Sequence, residues 1–176
     1  MKAVRGKTAA RDLRSEWRET LDSGVELCFL LQDLEDAYNV GGFFRLADGV
    51  GVKELVCSGR TPVPPNPMIS VTSLGAHRRI PARYFKHHLD AVDNLKASGW
   101  SLVAIEIAEG AVNYREFAYP KKTCLIVGNE ANGVYDSVLA RADASVYIPM
   151  FGKGRSLNVH VAGAIVAYEA RLRSSG

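Results

Sequence analysis

The chain has 176 residues, 47% of them hydrophobic, which suits one domain with a sizeable core. Its formal net charge is a mild +3, and no apolar run is long enough to span a membrane, since the stretch 159–170 is short and interrupted by His160. No secretory apolar segment follows Met1, and Asp12 and Glu16 weaken a transit-peptide reading of the Arg-rich start, so a cytoplasmic protein is expected.

The charges are unevenly placed. Residues 1–18 hold Lys2, Arg5, Lys7, Arg11, Arg14 and Arg18 against Asp12 and Glu16. No acidic residue stands between Glu54 and Asp90, a stretch that carries Arg60, Arg78, Arg79, Arg83 and Lys86. Two basic segments on a nearly neutral chain point to a polyanion, with a solvated face as the plain alternative. Cys28, Cys57 and Cys124 lie far apart among apolar residues. Their odd number and the missing CxxC spacing read as buried thiols; no disulfide framework and no metal site is expected.

In chain order, residues 1–22 read as a polar helical arm and 23–176 as the main domain. Residues 26–32 form an apolar strand. Asn39 is placed to cap a helix over about 40–49. A second strand covers 53–57, and the proline-rich stretch 61–67 is an irregular loop. A short helix over 69–74 ends at Gly75, and a brief strand follows at 82–85. Residues 89–97 have helical spacing, stopped by Gly99. Strands are expected at 101–107, 123–127 and 144–148, with a helix at 136–142; residues 114–119 give no clear pattern. From Ser156 to about Leu172, the residues Leu157, Val161, Ile165, Tyr168 and Leu172 form one apolar stripe of a long helix.

Strands alternate with helices, so the fold class is α/β with a mainly parallel sheet flanked by helices. A ligand would then sit at the carboxyl ends of the strands. Three polar clusters lie there. The first is Asn39-Val40-Gly41-Gly42-Phe43-Phe44-Arg45, and the second Gly128-Asn129-Glu130-Ala131-Asn132-Gly133. The third is Ile148-Pro149-Met150-Phe151-Gly152-Lys153-Gly154-Arg155-Ser156-Leu157-Asn158, where two glycines allow a tight, strained backbone path. Ser156 alone reads equally well as a helix cap.

In order and spacing these clusters resemble the three signature motifs of the SpoU (TrmH-like) group of SPOUT RNA methyltransferases. Ser73-Leu74-Gly75-Ala76 is similar to another recurrent stretch of that group. The resemblance covers roughly residues 26–171. It implies a C-terminal trefoil knot, which no pattern argument would propose. It also implies S-adenosylmethionine as cofactor, a homodimer with active sites at the subunit interface, and methylation of a ribose 2′-hydroxyl in RNA.

By the same resemblance, Ile105, Glu106, Val127, Gly128, Asn129, Ile148, Met150, Ser156 and Leu157 would line the cofactor pocket. Gly128 would permit close backbone approach. Arg45, Asn39, Glu130, Ser156 and Asn158 would form the catalytic centre. Arg45 matches an arginine sometimes described as the base, but a guanidinium stays protonated and has no acceptor. A phosphate clamp that stabilises developing alkoxide charge is the better role for it. Asn39 would orient Arg45 or a substrate phosphate, and Glu130 would hold Arg45 or nearby amides. Arg11, Arg14, Arg78, Arg79 and Arg155 would contact RNA. His160 stands where the group often has a small hydroxyl residue, and reads as a structural histidine or a substrate contact. Small residues on the last helix (Ala162, Gly163, Ala164, Ala167, Ala170) would serve dimerisation.

Rival classes find less support. No G-x-G-x-x-G opens a first helix, and Val134 stands where a P-loop needs lysine. A catalytically silent RNA-binding module of the same fold remains an alternative. The chain carries little beyond the matched stretch, which favours tRNA over rRNA as substrate.

Overall fold

The structure, a computed structural model, describes residues 6–172. Residues 1–5 and 173–176, with Lys2 and Arg5 of the basic start, lie outside the described residues. The strands are β1 (Glu26–Gln32), β2 (Leu55–Ser58), β3 (Ala82–Phe85), β4 (Ser101–Ile105), β5 (Val112–Asn113), β6 (Lys122–Val127) and β7 (Ala144–Tyr147). The helices are α1 (Lys7–Leu21), α2 (Ala37–Val50), α3 (Pro67–Ser73), α4 (His88–Ala97), α5 (Asp136–Leu139) and α6 (Val159–Leu172), with a 3₁₀ turn at Ala76–Arg78. All ladders are parallel, in the order β3-β2-β1-β6-β4-β7-β5.

Parallel strands bury both faces, which is why β1 is continuously buried from Leu27 to Gln32. On one face α2, α3 and α6 cover Phe29, Leu31 and Val127, with Phe43, Phe44, Ile69 and Val166 filling the layer. On the other, α4 and α5 cover Cys28, Leu30, Leu102 and Ile126 through Val92, Leu95 and Val138. Cys28 faces Cys124 across the β1–β6 ladder, and all three thiols are free and buried. Burial pushes the Cys57 thiol up to about 12 and raises Cys28 as well.

Several boundaries differ from the sequence expectation. Asp36, not Asn39, caps α2: its side chain accepts the N–H of Tyr38 at 2.8 Å, and Asn39 lies inside the helix, buried. The stretch without a clear pattern follows the two-residue edge strand β5, and the Tyr119 hydroxyl closes it onto the Tyr114 carbonyl. The helix α5 is shorter than expected. The helix α6 starts at Val159, and Asn158, not Ser156, caps it by accepting the N–H of His160 at 3.0 Å.

The apolar stripe of α6 faces the opposite way from the expectation. Val161, Tyr168 and Leu172 are exposed, whereas Gly163, Val166, Ala167 and Ala170 are buried. The reason is the bulk of α2. A Cβ added at Gly163 would lie 2.7 Å from Phe43, so only a small residue lets α6 seat on that ring.

Candidate active site

The carboxyl ends of β4, β6 and β7 open into a cleft of about 540 Å³, ample for a nucleoside-sized ligand. The three strands run parallel, so residues from distant positions arrive at one edge. All nine residues expected at the cofactor, Ile105, Glu106, Val127, Gly128, Asn129, Ile148, Met150, Ser156 and Leu157, line it. Glu130, Arg155 and Asn158 line it too. Tyr147, Val159 and Ala162 also line it and escaped the sequence reading. Their signal was the register of β7 and the i, i+3 spacing at the start of α6.

Some of these residues do a different job from the one expected. A Cβ on Gly128 would run into the backbone of Gly133 and Val134, so this glycine is required by the return of its own loop. The Asn129 side chain is buried and turned inward. Its oxygen accepts the N–H groups of Ala131 and Asn132, and its nitrogen donates to the Asp33 carbonyl at 2.9 Å. It therefore shapes the loop and offers the cleft its main chain. Both oxygens of Glu106 are also engaged, by the N–H of Val134 and of Ile107, each at 2.9 Å. Gly152 and Gly154 are not in the left-handed region, and an added Cβ meets nothing within 4 Å at the first and only Met150 at 3.8 Å at the second. The strain expected in that loop is absent at both glycines.

A second cleft lies between α2, α3 and α6, lined among others by Asn39, Arg45, Val71, Leu74, His160 and Tyr168. Gly41 lets α3 pack on α2, and Gly42 lets the His160 ring rest against the helix: a Cβ there would lie 3.0 Å from the imidazole. Leu74 and Gly75 both adopt left-handed geometry, ending α3 at the Ser73-Leu74-Gly75-Ala76 stretch. The Arg45 guanidinium is exposed and makes no hydrogen bond or ion pair with another described residue.

Asn39 joins the two clefts. Its Nδ2 donates to Glu130 Oε1 at 2.9 Å, and its Oδ1 accepts Asn158 Nδ2 at 3.1 Å. The same oxygen lies 3.3 Å from His160 Nδ1. The other Glu130 oxygen accepts the Glu35 N–H at 3.2 Å. The three motifs thus meet at one carboxamide. Glu130 holds Asn39 and a main-chain amide and makes no bond to Arg45.

Behind the loop of β1, Asp33 bonds the Arg60 guanidinium at 2.8 Å and receives the Tyr135 hydroxyl. Arg60 hydrogen bonds, with Tyr135 assisting, hold the Asp33 carboxyl well below the usual carboxylate range against the opposing cost of burial. Of the arginines expected to bind RNA, Arg155 lines the first cleft and Arg78 is exposed. Arg79 is paired with Asp48 at 2.8 Å, and the charge of Arg14 also acts on that carboxylate. Arg11 is exposed and lies 3.6 Å from Asp12.

A profile of the SpoU rRNA Methylase family matches residues 26–168. The tRNA (guanosine(18)-2′-O)-methyltransferase of Escherichia coli strain K12 is 34% identical over 148 residues, covering 83% of this chain and 63% of its own length. The enzyme of the same name from Thermus thermophilus is 34% identical over 169 residues, covering 96% of this chain and 85% of its own. The AdoMet-bound rRNA methyltransferase of Sinorhizobium meliloti superposes with a TM-score of 0.79 at 29% identity, covering 87% of this chain and 58% of that one. The chain thus spans a little under two thirds of the E. coli relative. A match of this extent, centred on the segments that build the two clefts, makes the chain a member of the SpoU rRNA Methylase family.

Proposed function

We propose that the protein is an S-adenosylmethionine-dependent RNA ribose 2′-O-methyltransferase acting on tRNA. The observation that carries this reading is the Asn39 bridge, which ties an apolar-walled cleft to a cleft holding the exposed Arg45. The cofactor fits the first cleft by chemistry. Ile105, Val127, Ile148 and Leu157 offer apolar walls for an adenine, and the main chain around Gly128 offers hydrogen-bonding groups. When bound, the cofactor supplies an electrophilic methyl group on a sulfonium.

Arg45 would clamp an RNA phosphate and stabilise charge on the attacking oxygen. Asn39, Glu130 and Asn158 would fix the geometry between the clefts, and Ser156 would contact the acceptor nucleotide. The arm formed by α1, with Arg11 and Arg14, and the surface around Arg78 would add phosphate contacts, while the pairing of Arg79 with Asp48 weakens its candidacy. By the motif resemblance, the loop 148–158 and α6 would form a trefoil knot. The outward stripe of Val161, Tyr168 and Leu172, next to the Arg45 cleft, supports a homodimer through α6. An RNA substrate and three unpaired thiols support a cytoplasmic location.

Incubating unmodified total RNA with labelled S-adenosylmethionine, followed by nucleoside mapping, tests the reading. A 2′-O-methylated nucleoside in the tRNA fraction is the expected product. Label confined to rRNA would replace the substrate class. Cofactor binding without transfer to any RNA would instead identify a silent RNA-binding module.

A further inference from the structure

Asn39 dictates the proton position on His160. A carboxylate only accepts, so the Asn39 group facing Glu130 must be the amide nitrogen, 2.9 Å from Oε1. Its oxygen then faces Asn158 and His160, and that oxygen also only accepts. Asn158 conforms: its own oxygen takes the His160 backbone N–H, which leaves its nitrogen to donate to Asn39. His160 Nδ1, 3.3 Å from the same oxygen, must therefore carry a hydrogen. A neutral imidazole protonated at Nδ1 keeps a lone pair at Nε2. No described residue hydrogen-bonds Nε2, and His160 lines the second cleft together with Arg45.

The other polar groups near this point are unsuited to accept a proton. Arg45 has no lone pair to offer. Both Glu130 oxygens are engaged, one by Asn39 and one by the Glu35 amide. Asn158 and Ser156 are not bases near neutral pH. From α2 the groups facing His160 are Tyr38, Asn39 and Arg45; from α3 and its end they are uncharged; on its own helix Tyr168 shares the cleft.

Resting on the methyltransferase reading, we propose that His160 is the general base that takes the acceptor hydroxyl proton. The ribose O–H bond breaks and its proton moves to Nε2, giving an imidazolium. The oxygen forms its bond to the methyl group as the sulfur–methyl bond breaks, and the sulfonium becomes a neutral thioether. Asn39 acts as a positioning residue that fixes the tautomer, as a carboxylate does in a hydrolase triad. Arg45 stabilises the oxygen while the proton leaves.

Two variants and a spectroscopic measurement test this. His160→Asn keeps a donor where Nδ1 stands and deletes the accepting nitrogen; His160→Gln places an amide, unable to take a proton, near Nε2. Cofactor affinity is measured by calorimetry, and single-turnover methyl transfer to an RNA that the wild type methylates is followed from acid to alkaline pH. Both variants are expected to bind cofactor within about twofold of wild type and to lose roughly 10²-fold or more in rate. The acidic limb of the wild-type pH–rate profile should disappear. Nitrogen-15 NMR of the wild type should show the His160 proton on Nδ1. A His160→Asn rate within about fivefold of wild type with the acidic limb retained, or a proton found on Nε2, would overturn the proposal. Failure of the wild type to methylate any RNA would overturn the parent reading, and this one with it.

Discussion

Asn39 and Glu130, 91 positions apart, are joined by a 2.9 Å hydrogen bond from carboxamide to carboxylate. The bond makes Glu130 part of the same unit as Asn158, although no hydrogen bond joins those two directly. Removing Asn39 leaves a carboxylate and an amide without their shared partner. Asn39→Ala should cost about 2 kcal/mol of stability, as expected for losing a charge-assisted bond from a buried amide to an exposed carboxylate, together with the bond to Asn158. In a double-mutant cycle by urea unfolding, Asn39→Ala and Glu130→Ala together should cost at least about 1 kcal/mol less than the sum of the two. Strict additivity would show that the two residues act independently.

Arg45 presents the opposite case, an exposed guanidinium with no partner among the described residues. Arg45→Lys should leave the unfolding midpoint within about 0.5 kcal/mol of wild type. It should leave cofactor affinity within about twofold and lower methyl transfer to RNA by roughly 10²-fold, because a lysine lacks the planar fork. Near-normal turnover would sink the clamp role.

Gly128 and Gly152 both belong to motif loops, yet only the first is sterically required. Gly128→Ala forces the Gly133–Val134 backbone away and should cost about 3 kcal/mol or more in chemical denaturation. Gly152→Ala should change stability by less than about 0.5 kcal/mol. Equal effects at the two positions would contradict the packing described.

The strand β1 is legible to the residue because an apolar run of strand length stands between Gly24 and Asp33, and β3 because it starts directly after Pro81. The residues that line the first cleft are reached through the motif resemblance, and parallel strands bring the ends of those motifs to one edge. The start of α2 is not legible, since Asp36 and Asn39 are both good caps and only the fold decides between them. Nor is the orientation of α6, where helical spacing identifies an apolar face but cannot tell a core contact from a bare surface. Phe43 decides that by demanding small residues opposite it. Close approaches of backbone to backbone, as at Gly128, and the proton-accepting edge of His160 depend on tertiary neighbours that no local pattern records.

The Asp33 carboxyl is held below the usual range chiefly by the Arg60 hydrogen bonds. A depressed folded-state pKa adds stability that is fully present above about pH 4 and fades as pH falls through the lower, folded value. Arg60 is 64% exposed, so solvent weakens the ion pair and the hydrogen bonds carry most of the effect. Asp33 also has φ of 57°, a geometry asparagine tolerates well. Asp33→Asn should therefore lower the urea midpoint at pH 7 without disturbing the backbone. The gap from wild type should narrow at pH 3; a gap that widened there would reverse the assignment.

Tyr168 is 44% exposed on the outer stripe of α6, beside the Arg45 cleft. If that stripe is the dimer face, Tyr168→Lys should shift the species seen by light scattering at micromolar concentration from dimer to monomer. Methyl transfer should fall with it, while the monomer keeps its helical and strand signals by circular dichroism. A wild-type monomer would remove the dimer from the reading.

Gly163 touches neither cleft, yet it sets where the two clefts meet. With no side chain there, α6 rests directly on Phe43, and its first turn brings Asn158 and His160 up to Asn39. One added methyl group would lift the helix from the ring and carry both polar residues with it. A position that looks like interior filling is in effect a spacer for the polar groups around Asn39, and drift in sequence at the site should be bounded by drift at this core contact.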